Sequence, residues 1–515
     1  MSKKKYEELT EERELFLNRA RDCAELTLPL VIRDKGDNAT TNYQTPYQSV
    51  GSRGVSNICS NLLLSLFPTS TPFFRLLVSD YAFNQFGEEA KQIKTEVDES
   101  LGAIEKTVLE ELEDKNLRPI IFDVLKNLII AGNCLVYVQP DGNVRAYSLE
   151  DYVCKRDIEG NILQIHVKEM INREVAEQTL DVELPSDEMD DDKEINLFTC
   201  IERKEDEYYI YQTIDEQKIK GTESYVKLDL LPFLPLRLTK VTGESYGRSY
   251  VESLIGDLSS LESLSKSIVE SAAISAKSVF MVNPASLTRA KALAKAKNGD
   301  VINGNATDVT TLQVNKSSDM SVAFQTVQNL ERRLSFAFNL LDNALPAGGR
   351  TTATEINALV NSLEKVLAGT YAMLSSEFMR PLVHIMISRL TQEGKIPELP
   401  KEIKLIISVG LTALGRNSDL ERLQQFVAMS QQLAPEAFAK KVNQDVLISS
   451  IARAIGVEKS IIKTDEQIAM EQQAAMMAQQ QLQEQQSAMM QQEQEGKIAE
   501  KVAPQIAQSA LQENE

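Results

Sequence analysis

The segment from Ser249 to Ser278 constrains this chain more than any other, because it joins a helix start to a composition that an isolated helix tolerates badly. Ser249 and Glu252 have the spacing of a capping box, in which the serine oxygen accepts one orphan N–H and the glutamate reaches back for another. Val251, Leu254, Leu258, Leu261, Ser265, Ile268 and Ala272 follow at steps of three and four, the spacing of a narrow apolar seam. Ten serines fall between Ser249 and Ser278. Their hydroxyls compete for backbone hydrogen bonds, so this helix needs close neighbours to hold it. A second seam starts at Val327 and runs through Leu330, Leu334, Ala337, Leu341 and Ala344, with Pro346 as its expected end. The two seam helices flank one insertion, Val279 to Lys316, where short β-like runs (VFMV, TTLQV) surround a basic stretch, RAKALAKAK, and the turn signals NGD and NGN.

Elsewhere the periodicity divides the chain clearly. Tyr6 to Leu28 reads as a helix ended by Pro29, a second helix from about Val50 stops at Pro68, and Glu88 to Lys115 and Pro119 to Ala131 give two more. From Leu135 the period shifts toward two: LVYV, PDGN and VRAYS read as a hairpin, and YVCKRD, IEGN and ILQIHVKEM as another, within a β-rich insert at about 135–240. That insert carries an acidic run, Asp181 to Glu194, which reads as a solvated loop because it lacks the ligand alternation and glycine turn of a calcium site. After the second seam, Gly348 and Gly349 permit unusual backbone angles, and Thr352 with Glu355 is spaced to cap a new helix from Ala353 to about Arg380, which Pro381 should kink or break. Asn417 to Gly456 reads as helical. Gln467 to Gln494 holds twelve glutamines and five methionines, and no aromatic residue follows Phe438, so this tail has little with which to build a core.

Composition narrows the function. At 515 residues the chain has room for about three domain-sized units and a sizeable core. A net charge of −20 argues against gripping nucleic acid over a broad surface, so any DNA would be handled loosely. Cys23, Cys59, Cys134, Cys154 and Cys200 lack paired spacing and only His166 and His384 accompany them, which gives neither a zinc site nor a nucleophile–base pair; the cysteines read as reduced and half-buried. The N-terminus is too charged for a signal peptide and no apolar run is long enough to span a bilayer, so the chain reads as a soluble product that stays where it is made. GESYGRS, Gly243 to Ser249, is too short for a phosphate loop, and its glycines fit turn and close-packing positions. No cofactor or metal is expected, and no catalytic residue.

Four blocks in order resemble one family. GESYGRSYVESLIGDLSSLESLSKSIVESAAISAKSVFMVNP is similar to the signature of the head-to-tail connector, or portal, proteins of short-tailed bacteriophages. Tyr47 to Leu76, Asp151 to Gly160 and Thr351 to Leu382 resemble the same family, so the likeness spans roughly residues 10–415. It implies a mainly α fold with β-rich insertions (α+β) that assembles as a ring of about twelve copies. The wing would comprise residues 1–245, the first stem helix 246–278, the clip 279–322, the second stem helix 323–345, a tunnel loop 346–352, the long wing helix and end of the wing 353–415, the crown 416–462 and the Gln/Met-rich tail 463–515. Ring packing would fall to the stem seam, Leu254, Leu258, Leu261, Ile268, Leu330, Leu334 and Leu341, and DNA contact to Arg350 with Gly348 and Gly349 in the tunnel loop. The implied partners are double-stranded DNA passing through the channel, the terminase packaging motor, major capsid and scaffolding proteins, and tail or adaptor proteins. The implied location is the portal vertex of the virion, after assembly in the host cytoplasm. Two alternatives remain open at this point: a non-viral helical scaffold or adaptor, and a metal-dependent nuclease using Asp187, Asp190, Asp191 and Asp192.

Overall fold

The computed structural model describes residues 2–33, 36, 40–68, 72–78, 90–180, 194–214, 217–275, 279–285, 288–312, 317–340, 369–399, 403–407 and 426–435, with isolated positions beyond. Leu341, Gly348, Gly349, Arg350, the proposed cap at Thr352 and Glu355, and Asp187, Asp190, Asp191 and Asp192 lie outside the described residues. The chain divides into two compact units, Met1–Ala413 and Leu414–Glu515.

The first unit mixes helix and sheet. Helices α1 (Ser2–Glu25), α2 (Val50–Leu66), α3 (Ala90–Asp114) and α4 (Leu117–Ala131) match the periodic segments of the first quarter. Strand β1 (Phe74–Val78) lies between α2 and α3 and pairs antiparallel with β13 (Ile403–Ile407), far away in sequence. The PDGN turn joins β2 (Asn133–Val138) to β3 (Val144–Tyr147), and β10 (Phe233–Arg237) completes this sheet on the other side of β2. A larger antiparallel sheet runs β4 (Tyr152–Arg156), β5 (Ile162–Asn172), β6 (Glu194–Lys204), β7 (Glu207–Ile214), with β8 (Gln217–Lys218) and β9 (Ser224–Lys227) both pairing with β7. A short helix α5 (Arg173–Leu180) follows β5.

The serine-rich segment forms α6 (Ile255–Ser275), preceded by a 3-10 turn at Val251–Leu254. The insertion folds as β11 (Val279–Val282), α7 (Ala290–Lys295) and β12 (Val309–Leu312), and the second seam helix is α8 (Ser317–Ala337). One large core joins Leu258 and Leu261 of α6 and Leu330 and Leu334 of α8 to α1, α2, α4 and the β2 sheet.

Two expectations need correction and one is narrowed. Helix α8 ends at Ala337, well before Pro346. Asn339 takes the left-handed conformation (φ 53°), its N–H reaches Phe336 O at 3.2 Å and the Leu340 N–H reaches Ser335 O at 2.8 Å, which together make a Schellman stop. Of the two outcomes expected at Pro381, a kink or a break, the break does not occur. A π turn at Ser375–Met379 precedes α9 (Arg380–Gln392), and its wider winding absorbs a proline that lacks the N–H and crowds the preceding turn. Finally, all five cysteines are fully buried rather than half-buried, and burial pushes Cys23 up to about 11 and Cys59 up to about 12, so their thiols stay protonated and inert.

Helix α9 is held by a polar clamp. Arg389 Nη2 lies 2.5 Å and Lys395 Nζ 3.0 Å from the Glu111 carboxylate on α3, and their hydrogen bonds hold that carboxyl below its ordinary range. Because folding lowers this pKa, the contact contributes stability above about pH 4.3, the ordinary glutamate value, and loses it as the pH falls through the depressed folded value. Arg389→Gln is expected to lower the melting temperature near neutral pH, with the deficit shrinking below about pH 4. Parallel thermal melts across that range check it; a deficit that stays constant in acid would show that packing, not charge, was lost.

In the second unit, residues 426–433 are helical, inside the segment read as helical, and the Phe426 and Phe438 rings lie 6.4 Å apart.

Candidate functional site

The functional candidate is the α6–α8 pair, the insertion between them and the junction from which both helices spring. The junction explains the glycines of GESYGRS. Gly243, at φ +84°, sits in a turn closed by the Glu244 N–H on Val241 O at 3.2 Å. Gly247 needs closeness instead, since a Cβ there would stand 2.8 Å from Gly132 O. Its backbone is clamped by the buried Asn133 side chain, whose Oδ1 accepts the Gly247 N–H at 2.7 Å and whose Nδ2 donates to Gly247 O at 2.9 Å. Gly132 ends α4 in the left-handed region (φ +74°), and a Cβ on it would fall 2.5 Å from the Arg248 carbonyl carbon.

Only half of the expected capping box forms. The Ser249 Oγ accepts the Glu252 N–H at 2.8 Å, but the Glu252 carboxylate turns to Arg248, 3.0 Å away. Arg248 also forks onto Glu244 and lies 5.2 Å over the Phe16 ring, so both carboxylates raise its already high pKa and Glu244 is held low in turn. The serine therefore starts the helix, while the glutamate pins the arginine that joins the junction to α1.

The helix pair closes at the same end. Tyr250 OH donates to Ala337 O at 2.8 Å, and the Asn57 side chain of α2 donates to Phe338 O and Asn339 O at 3.1 and 2.8 Å, taking up carbonyls at the α8 terminus. Phe338 packs so tightly on α2 that a Cβ at Gly54 would stand 2.3 Å from its ring. Higher up, Arg333 reaches Asp257 at 2.8 Å, and Glu262 accepts the N–H groups of Tyr47 and Gln48 at 3.0 and 3.1 Å.

The seam residues are brought together within the subunit. Leu258, Leu261, Leu330 and Leu334 are buried, and Leu254 and Ile268 pack partly buried against them. Outward, the pair presents a different apolar set: Val269, Ile274, Val322, Phe324 and Phe336, the last 76% exposed. Sequence reasoning missed Asn133, Asn57 and Asn339, which do much of the positioning. For Gly132 a signal existed, since a glycine directly after the apolar run LIIA marks a helix end.

Among the described residues no group of His, Cys, Asp and Glu could hold a metal ion. His166 is buried in β5 with both ring nitrogens unpartnered, and burial drives its pKa down to about 4, leaving a neutral core side chain. Among the described residues no helix is long and apolar enough to cross a membrane.

The family model of the bacteriophage head to tail connecting protein matches residues 2–462. The chain is 38% identical over 483 residues to the portal protein of Escherichia phage T7, covering 90% of this chain and 89% of the relative. It is 37% identical over 476 residues to the portal protein of Enterobacteria phage T3 (90% and 89% covered) and 28% identical over 454 residues to that of Pseudomonas phage phiKMV (86% and 88%). Among solved structures it is similar to a chain of the virion of a native gene transfer agent particle, with TM-score 0.37 and 11% identity over 78% of this chain and 89% of that one, a likeness too slight to bear on the fold. A match that spans the N-terminal helices, both seam helices and the insertion leaves no large part of the first unit unaccounted for, and the chain belongs to the family of bacteriophage head-to-tail connecting proteins.

Proposed function

We propose that this chain is the portal subunit of a short-tailed bacteriophage, a ring-forming channel at one capsid vertex through which DNA enters on packaging and leaves on ejection. The observation that carries this reading is the identity to the T7 portal protein across 90% of the chain. The structure adds physical support: a helix pair whose inner seam is buried within one subunit while several large apolar side chains stand in solvent fits a module that meets copies of itself. In this reading α6 and α8 are the stem, the insertion is the clip, and residues 353–415 contain the long helix and end of the wing. The seam leucines stiffen the pair, and Val269, Ile274, Val322, Phe324 and Phe336 meet the neighbouring subunits.

The ring acts as channel and docking platform without chemistry of its own, placed in the virion, and the packaging motor, capsid and tail proteins are its partners. About twelve copies at −20 each would give the ring about −240 formal charges, which discourages duplex from sticking. Arg350, between Gly348, Gly349 and the next helix, is then the tunnel-loop cation that touches phosphate. The purified protein is expected to form closed rings of about a dozen copies across micromolar concentrations. Light scattering on size-exclusion fractions and ring counting in negative stain test this; a persistent monomer or dimer would overturn it.

A further inference from the structure

The insertion between the stem-like helices departs from the charge of the rest of the molecule. Val279 to Leu312 carries four cations, Arg289, Lys291, Lys295 and Lys297, against two carboxylates, Asp300 and Asp308, in a chain whose net charge is −20. All four cations are exposed, and among the described residues none of them holds an ion pair. The two carboxylates are occupied locally. Asp308 accepts the Thr288 hydroxyl at 2.9 Å, and Asp300 accepts the Lys297 backbone N–H at 2.7 Å. Those bonds also fix α7 in place, because Thr288 is buried at its base and in turn accepts the Asn305 N–H at 3.1 Å.

From this we infer that α7 and its flanks form a docking surface for the phosphate backbone of double-stranded DNA. Lys291 and Lys295 lie four residues apart on one helix face, an axial separation of about 6 Å, close to two base steps of one DNA strand at about 3.4 Å each. Arg289 precedes the helix and Lys297 follows it, adding a cation beyond each end. Alanines 290, 292, 294 and 296 alternate with long side chains, and no aromatic residue occurs between Phe280 and Phe324. A protein interface favours aromatic anchors and is depleted in lysine and alanine. Backbone phosphates need only point charges at suitable spacing and no reading of bases. The surface therefore suits a sequence-independent, salt-sensitive contact better than a dock for an acidic protein. It rests on this insertion alone and does not require the ring.

The test uses the full-length protein, a fluorescein-labelled 30-base-pair duplex of arbitrary sequence, and anisotropy titrations over a salt series. Lys291→Glu combined with Lys295→Glu is expected to weaken binding at low salt by about tenfold or more and to flatten the plot of log affinity against log salt by about 2, while the double Arg replacement restores both. Unchanged affinity and slope would overturn the proposal. So would tighter binding of poly-glutamate than of duplex through the same two lysines, which would identify an acidic-protein dock. Ring counting on the same samples reads assembly separately: rings that form normally in the Glu variant accord with a purely surface effect, and a variant that loses its fold along with its DNA affinity would reassign the lysines to structure.

Discussion

Leu258→Asp combined with Leu261→Asp is expected to abolish the folded subunit, whereas Phe336→Asp should leave the fold intact and prevent rings. Both leucines are 0% exposed in the single chain, packed in the core that includes Leu330 and Leu334. Each replacement removes a side chain worth about 2–5 kcal/mol and buries a carboxylate that costs several more, and together these exceed the roughly 5–15 kcal/mol that holds a typical domain together. The double variant should show no cooperative melt by circular dichroism. Phe336, by contrast, projects outward at 76% exposure, where a charge changes subunit stability by only about 0.5 kcal/mol. Light scattering then separates the two roles: if the Phe336 variant assembles as the unsubstituted protein does, Phe336 is not at the surface where copies meet.

At Gly132, replacement by Ala should cost about 2–5 kcal/mol, a large effect for one methyl group. Two penalties coincide there. The left-handed backbone is worth roughly 1–2 kcal/mol against a non-glycine residue, and the new Cβ would meet the Arg248–Ser249 backbone, which cannot rotate away as a side chain can, adding about 1–3 kcal/mol. Gly221→Ala provides the comparison, because its φ is +83° but a Cβ there meets nothing within 4 Å. Its expected cost is about 1–2 kcal/mol, the conformational part alone. Urea denaturation of both variants measures the difference; equal midpoints would mean that the junction yields where it is read as rigid.

What the sequence made legible was local. The PDGN and IEGN turns located two hairpins because the signal lies within a few residues of the strands it joins, and the two seams located α6 and α8 because a period of three and four repeats along one segment. The β1–β13 pair was not legible, since nothing in FRLLV names a partner more than three hundred residues away. The α8 terminus was misplaced for a related reason: proline is the stronger signal, but Asn339 stops the helix first, and it does so with carbonyls supported by Asn57 from another helix. At Pro381 the sequence left a kink and a break both open, because a π turn is an adjustment of neighbouring residues rather than a property of the proline itself. At the candidate site, the glycines of GESYGRS could be read as turn and packing positions, but Asn133, which clamps Gly247, is brought there only by the tertiary fold.

The polar ties between the helix pair and the remainder of its unit lie in its lower part, at the root around Ser249, Tyr250, Asn57 and Asn339 and at Glu262, which holds the Tyr47 and Gln48 N–H groups. Mechanically the pair is a cantilever. With α6 running on from Glu262 to Ser275, a sideways push delivered at the insertion acts through an arm of about 20 Å and arrives at the root as a bending moment rather than a simple displacement. The root is built to resist such a torque: backbone is stacked on backbone at Gly132 and Gly247, a side-chain amide is bonded from both its ends, and an arginine is braced between two carboxylates. Deflection at the tip is therefore passed into α1, α2 and α4 as rotation of the whole root instead of being dissipated by a soft hinge.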